Sequence, residues 1–526
     1  MTGRADHNMG DRTLTRRSAI GLAAGIAGAG LLAGCGGASG GADTGATTAT
    51  AGTGRGGGTL RLGALGGGSA ETLNPWVGNS ACDYARAYQV YEPLVRFEGT
   101  DLTNVLLDSY EANADASEWT LRLVDATWHN GRPLTADDVI YSMRYAVETK
   151  AYSSDAYKNI DLRGLKKLDA RTVKVPLRSP NFLFLGTLAT VYGAIIQDGF
   201  TDFDKPIGTG PFEFVSWAQG ERAAYKRFGD YRLSGQPLLE GIEILSLNDP
   251  QARINALISG QVDAIATVPA ANASSLASTK NIKLIDTPSG SAASVAMRTN
   301  QAPFDDVRVR QALRLLVDRE QLVSAAFSGK ARVGNDLFSW FDPDYASQLP
   351  QRAYDPEQAR SLLRQAGQSD LQVELLLADQ FPGHVELGEL YGPSAAKGGV
   401  KVKINKVTPA AFGDQYTKAP FFVGYWTARR LGPQWDATLV SGAVFDETDW
   451  DNPRWASAYA AARRTRDEAK RKQHMLDAQS ILYEEGGYII PYFPNFIDAT
   501  ASKVSGTRTS IQHSFGMFDF RGTSVA

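Results

Sequence analysis

The chain of 526 residues sets 54 Lys and Arg against 57 Asp and Glu, a net charge of −3, so no basic excess points to nucleic acid. Its 43% hydrophobic and 10% aromatic content supplies ordinary cores for two or three domains. The only cysteines are Cys35 and Cys82, which excludes a disulfide-stapled scaffold.

In chain order, the first predicted element is an export signal. Arg16-Arg17 precede an apolar run from Ser18 that closes in Leu32-Ala33-Gly34-Cys35. A basic start, an apolar core and a small-residue exit before a cysteine resemble the lipobox of bacterial lipoproteins. An uncleaved membrane helix fits poorly, because residues 18–34 hold five glycines among alanines. Thr15-Arg16-Arg17-Ser18-Ala19-Ile20 also resembles a twin-arginine export motif, with Ala19 where that motif usually carries an aromatic residue. Loss of residues 1–34 removes four arginines and two aspartates and takes the net charge to −5. Residues 35–57, mostly Gly, Ala, Thr and Ser, have little to bury and read as a flexible tether. With Cys35 lipidated, Cys82 has no partner, and only the lipid holds the mature chain to a membrane.

Order is expected from a short alternating strand at residues 58–63, followed by a turn at Leu73-Asn74-Pro75. Residues 81–92 have helical spacing, with Tyr84, Ala87, Tyr88 and Tyr91 on one face that reads as core. A strand at 119–123 leads through Trp128-His129-Asn130-Gly131 to a helix from about 136 to 149, with Thr135 as N-cap and acids in its first turn. Strands at 171–177 and 242–245 and a helix at 250–259 ending on Gly260 continue an alternation typical of α/β layers. Further helices fall at about 306–317, 319–327 and 355–366, the last with Asp355 as N-cap, Pro356 at its first position and Gly367 as its stop. Strands are expected at 372–377 and 400–404, then a charged helix over 463–483 and the apolar run 488–493.

Several motifs that suggest chemistry have plainer uses. Gly208-Thr209-Gly210 lacks the Lys-Ser/Thr of a phosphate loop and the third glycine of a dinucleotide fingerprint, and it enters a strand, so it reads as a structural turn. His129 has no neighbouring Cys or His, and the other four histidines are dispersed, so no metal site is expected. An exported hydrolase is the rival class, but neither a Gly-x-Ser-x-Gly elbow nor a Ser-x-x-Lys motif stands in its expected context. The pairs Asp137-Asp138 and Asp305-Asp306 sit at helix starts, where acids cap. No cofactor is expected.

Tyr91-Glu92-Pro93-Leu94-Val95, Trp128-His129-Asn130-Gly131 with Ala136-Asp137-Asp138-Val139, Gly208-Thr209-Gly210-Pro211-Phe212 and Ser259-Gly260-Gln261-Val262-Asp263 follow in order along the chain. With residues 303–313 and 354–367, they resemble the solute-binding lipoproteins of ABC importers, in the family that captures oligopeptides, dipeptides and nickel complexes. The resemblance implies a two-lobe α/β fold of the periplasmic-binding-protein type (type II, cluster C) with a subdomain inserted in the first lobe. The expected division is 58–97, 181–287 and 487–526 for lobe I, 98–180 for the insert and 288–486 for lobe II, with hinge crossings near 287 and 487. It also implies a monomer with no enzymatic activity, anchored on the extracytoplasmic face of the cell membrane. A small-molecule or oligopeptide solute and ABC permease subunits would be its partners.

In peptide-binding relatives, an aspartate of the second lobe holds the peptide ammonium within a Gly-Trp-x-Ala-Asp segment followed by Pro. Aligned on Ala428 and Pro433, this chain places Trp426 at the pocket wall, Thr427 beside it and Arg429 where the aspartate would be. Two readings of Arg429 stand: it grips an anionic solute group, or it pairs with Asp436 or Asp446 away from solute. Asn79, Ser80 and Asn495 map to other solute-facing positions, and turn roles suit them equally.

Overall fold

A computed structural model describes residues 57–151, 154–189, 193–416 and 418–526. The export signal, Cys35 and most of the tether lie outside the described residues. Among those residues, no helix is long and apolar enough to cross a membrane.

Two sheets form the body. The first, in lobe I, orders Ile282–Thr287, Phe496–Ala501, Ala264–Ile265, Thr59–Ala64, Gly241–Ser246, Arg222–Arg227 and Phe212–Ala218. The second, in lobe II, orders Ala331–Val333, Tyr488–Pro494, Ala292–Met297, Phe421–Trp426, Gln372–Ala378 and Lys401–Val407. A separate four-stranded sheet holds Leu107–Ala112, Glu118–Leu123, Thr172–Pro176 and Lys166–Asp169, and the helix Ala136–Glu148 contacts it. Strand Tyr488–Pro494 pairs with Ala292–Met297 and Ala331–Val333, so the expected second crossing near 487 moves to Asn495. The expected helix over 463–483 is two helices, Pro453–Arg464 and Glu468–Glu485. Thr465 is extended between them, and the Asp467 side chain caps the second.

The expected tyrosine face of the helix Ala81–Val90 does pack on the core, with Tyr91 buried in it and Tyr84 and Ala87 against it, but the most buried face is another. Cys82, Ala85, Arg86 and Gln89 are buried, while Tyr84, Ala87 and Tyr88 are half-buried. Arg86 goes inside because Glu71, also buried, receives its guanidinium at 2.7 Å, and a paired, hydrogen-bonded charge is tolerated there. Beyond this helix, the Gly208-Thr209-Gly210 turn presses on its end. A Cβ on Gly208 would lie 1.7 Å from the Val90 carbonyl oxygen, and one on Gly210 would lie 2.5 Å from that of Gln89. The His129 ring closes the same seam, bonding the Gly210 carbonyl at 2.9 Å.

The topology places a cleft between the sheets. In lobe I, Thr59–Ala64, Gly241–Ser246 and Ala264–Ile265 run parallel, and Ile282–Thr287 runs the same way through the antiparallel Phe496–Ala501. In lobe II, Gln372–Ala378, Lys401–Val407 and Phe421–Trp426 are parallel, and Tyr488–Pro494 shares their direction through Ala292–Met297. Residues 288–291 leave the carboxyl edge of one sheet and enter the other at its carboxyl edge, and Asn495 makes the return. The carboxyl edges of both sheets therefore meet across two short crossings, the place where open α/β sheets receive ligands.

Candidate functional site

The crossings are fastened to each other. Ser289 Oγ donates to the Pro494 carbonyl at 2.6 Å, and Asp286 accepts from both Lys330 Nζ and Asn495 Nδ2 at 2.7 Å. A Cβ on Gly290 would lie 2.3 Å from Phe341 and 2.7 Å from the Ala428 Cβ, so only glycine lets the first crossing pass so close to lobe II.

At the carboxyl edge of lobe II, Phe421–Trp426 delivers Trp426, Thr427 and Arg429. Trp426 is buried, with its Nε1 donating to Glu447 Oε2 at 3.0 Å and its ring packed edgewise on Phe445 at 5.6 Å. Glu447 is fully buried as well and also accepts from the Tyr416 hydroxyl. Burial pushes the Glu447 carboxyl above the ordinary range, against the bonds from Tyr416 and Trp426. Gly424 makes room for it, since a Cβ there would lie 3.0 Å from Glu447 Oε1. The indole is thus locked from behind, as a preorganised wall requires.

Arg429 lies over that wall, its guanidinium carbon 5.1 Å from the Trp426 ring centre. Its carbonyl accepts the Ser339 hydroxyl at 2.7 Å. The chain neighbours of Arg429 reach lobe I and its insert: the Ala428 carbonyl faces Gln512 Nε2 at 3.5 Å, and Arg430 donates to the Thr100 carbonyl of the insert at 2.9 Å. Arg430 also sits over Phe97, whose ring meets Phe341 edge-on at 5.6 Å. Arg429 therefore stands at the junction of the lobes, and both it and Thr427 are half-buried. Of the two acids expected near it, Asp436 accepts from the Tyr459 hydroxyl at 2.8 Å and faces Arg463 at 3.9 Å, while Asp446 accepts the Asp449 N–H at 2.9 Å.

The other sequence-predicted residues part company. Asn79 is exposed after Thr59–Ala64, with its backbone N–H on Asp83 at 3.2 Å. Ser80, expected at the solute, is the buried N-cap of the helix Ala81–Val90, in a reciprocal capping box with Asp83. Asn495, likewise expected there, has its amide on Asp286 and belongs to the crossing. Glu447, Tyr416 and Ser339, which hold Trp426 and Arg429 in place, were not among the residues expected at the site. Of these, only Glu447 carried a signal, as an acid within the run Asp446-Glu447-Thr448-Asp449.

Lobe I contributes an aromatic bank at its carboxyl edge. His513 stacks on Phe496 at 5.4 Å and meets Tyr84 edge-on at 5.0 Å. Burial pushes the His513 imidazole down to about 4, so it is neutral at ordinary pH. Behind it, Asp498 accepts the Thr267 N–H at 3.1 Å and the Phe515 N–H at 3.0 Å, and burial pushes its carboxyl up to about 6.

Two facing strand edges, short paired crossings and a fixed aromatic-cation corner define a two-lobed binding protein. The profile of the bacterial extracellular solute-binding proteins, family 5, matches residues 101–447, and the chain belongs to that family. It is an extracytoplasmic binding protein of ABC importers and not an enzyme. Among curated relatives, the glutathione-binding protein GsiB of Pectobacterium atrosepticum is 26% identical over 84% of this chain and 90% of its own length. GsiB of Escherichia coli K12 is 25% identical with the same coverage. Similar solved structures include the periplasmic binding protein AgaA of Agrobacterium tumefaciens R10 with agropinic acid, at 24% identity and TM-score 0.77 over 89% of this chain and 99% of that one. DppA of Helicobacter pylori with the peptide STSA aligns at 19% identity and TM-score 0.75 over 89% and 98%. These structural likenesses establish the two-lobe α/β fold.

Proposed function

We propose that this chain is the lipid-anchored, monomeric capture subunit of an ABC importer for a small, anionic, peptide-like solute of the glutathione kind, held between its lobes. The observation that carries this reading is the placement of Arg429, over Trp426 and between two residues that reach lobe I and its insert. A guanidinium grips a carboxylate with two parallel hydrogen bonds, and the indole offers a flat apolar wall beside it. The same cation disfavours a free peptide ammonium, which needs an acceptor rather than a like charge. Glutathione, with two carboxylates and one ammonium, suits this balance, and the GsiB relatives bear its name. Thr427 and Asn79 add polar contacts from the two edges, and closure turns on the crossings at 288–291 and 495.

Native mass spectrometry of the purified protein with glutathione tests the reading. A one-to-one complex is expected, together with a smaller radius of gyration in solution scattering as the lobes close. A protein that neither retains glutathione nor contracts overturns it. Anchoring rests on the Leu32-Ala33-Gly34-Cys35 lipobox. Cys35→Ala should release the protein from membranes or block its processing; full retention with unchanged cleavage would refute the anchor.

A further inference from the structure

Phe381 is an exposed aromatic ring on the carboxyl edge of lobe II, in the turn between Gln372–Ala378 and the helix His384–Ala396. Among the described residues, nine large apolar side chains stand exposed, and three of them follow parallel strands of the two main sheets at their carboxyl ends. Leu65 and Val77 follow the central strand Thr59–Ala64 of lobe I, 40% and 41% exposed, and Phe381 follows its strand in lobe II, 39% exposed. A single exposed apolar residue needs no explanation, but apolar groups on two facing edges do.

The Phe381 ring is also held in place. It lies parallel to Tyr425 at 4.2 Å with an interplanar angle of 7°, and His384 packs against it at 5.3 Å. His384 is fully buried, and burial pushes its imidazole down to about 4, so the backing of the ring is uncharged at neutral pH. The turn that presents Phe381 depends on Gly383. Its φ is +86°, a Cβ there would lie 2.3 Å from Phe327, and its carbonyl accepts the Tyr492 hydroxyl at 2.9 Å. Gln372–Ala378 is the parallel neighbour of Phe421–Trp426, so the loops bearing Phe381 and Arg429 leave adjacent strands, spaced about 5 Å apart.

We infer that Phe381, backed by Tyr425 and faced by Leu65 and Val77, forms an apolar subsite that receives a bulky hydrophobic or aromatic substituent of the solute whose anionic group lies on Arg429. The inference rests on the solute reading given above and sharpens its class to an amphiphilic anion, a carboxylate-bearing peptide with a large apolar side chain. Ring-on-ring contact and burial of both apolar surfaces supply the preference.

Isothermal titration with glutathione and S-benzylglutathione tests it, on the wild type, Phe381→Ala and Phe381→Leu. The wild type should bind the benzyl derivative about tenfold more tightly than glutathione, in the range that added apolar groups give in a fitted pocket. The ratio of the two dissociation constants should fall to about one in Phe381→Ala and lie between in Phe381→Leu, with matching melting temperatures certifying the fold. Equal affinities in the wild type, or a ratio untouched by Phe381→Ala, overturn the subsite while leaving the glutathione reading in place. If neither tripeptide binds, the solute reading itself fails and the subsite falls with it.

Discussion

Two tryptophan- and glycine-bearing regions of this molecule are packed in different ways. At the lobe I seam, Trp128 Nε1 reaches Asp138 at 3.3 Å, the His129 ring bonds the Gly210 carbonyl, and Gly208 and Gly210 lie against the backbone of Val90 and Gln89. At the lobe II edge, Gly424 and Trp426 are fastened from behind by Glu447, yet Thr427 and Arg429 stand half-buried where the lobes meet.

Four perturbations sharpen this contrast. The largest effect is expected from Gly208→Ala, whose Cβ collides with the Val90 carbonyl oxygen and forces backbone apart. It should cost about 3 kcal/mol or more in urea unfolding, and the same substitution at the open Gly413, where nothing lies within 4 Å, should cost much less. Next comes the buried Asp498, whose folded pKa of about 6 lies above the ordinary carboxylate value. Between about pH 4 and pH 6 the folded chain binds the proton more tightly than the unfolded one, so stability falls as pH rises through that window, by about 2 kcal/mol. Asp498→Asn should remove that slope from a series of unfolding curves; an unchanged slope would place its source elsewhere.

Smaller effects are expected at the cleft and the crossing. Arg429→Ala should weaken binding of the anionic solute about tenfold or more, while its melting temperature stays near that of the wild type. A large loss of stability would instead mark Arg429 as a packing residue. Asn495→Ala removes one of two side-chain bonds to Asp286 and leaves Lys330 in place. It should change affinity less than about threefold and show itself chiefly in the open-to-closed balance seen by scattering. A loss as large as that of Arg429→Ala would return Asn495 to the solute.

Much of the fold was legible because it is written locally. The caps Thr135 and Asp355 and the stop at Gly367, with φ +71°, need only a few neighbouring residues to be read. Long-range choices were not legible. The strand Tyr488–Pro494 is buried on both faces, so its apolar run lacks alternation, and only its pairing with Ala292–Met297 and Ala331–Val333 assigns it to lobe II. Arg86 and Gln89 misled the helix reading, since their burial depends on Glu71 and on the Phe518 carbonyl, 429 residues along the chain. At the site, the Trp426 and Arg429 pair was visible through the Gly424 to Pro433 segment. The partners that fix them, Glu447, Tyr416 and Ser339, come from separate loops and leave no local pattern. For Ser80 and Asn495, a loop position says nothing about which neighbour takes the side chain's hydrogen bond, Asp83 for the one and Asp286 for the other.

The central claim is that the cation at position 429 selects an anionic solute in the cleft. Isothermal titration of glutathione, and separately of an unmodified dipeptide amide bearing a free ammonium and no carboxylate, into wild type, Arg429→Ala and Arg429→Asp addresses it directly. The wild type should bind glutathione and reject the amide. Arg429→Ala should lose about tenfold or more in glutathione affinity, and Arg429→Asp should lose more still. Equal glutathione affinities in all three proteins, or tight binding of the dipeptide amide by the wild type, would contradict the account.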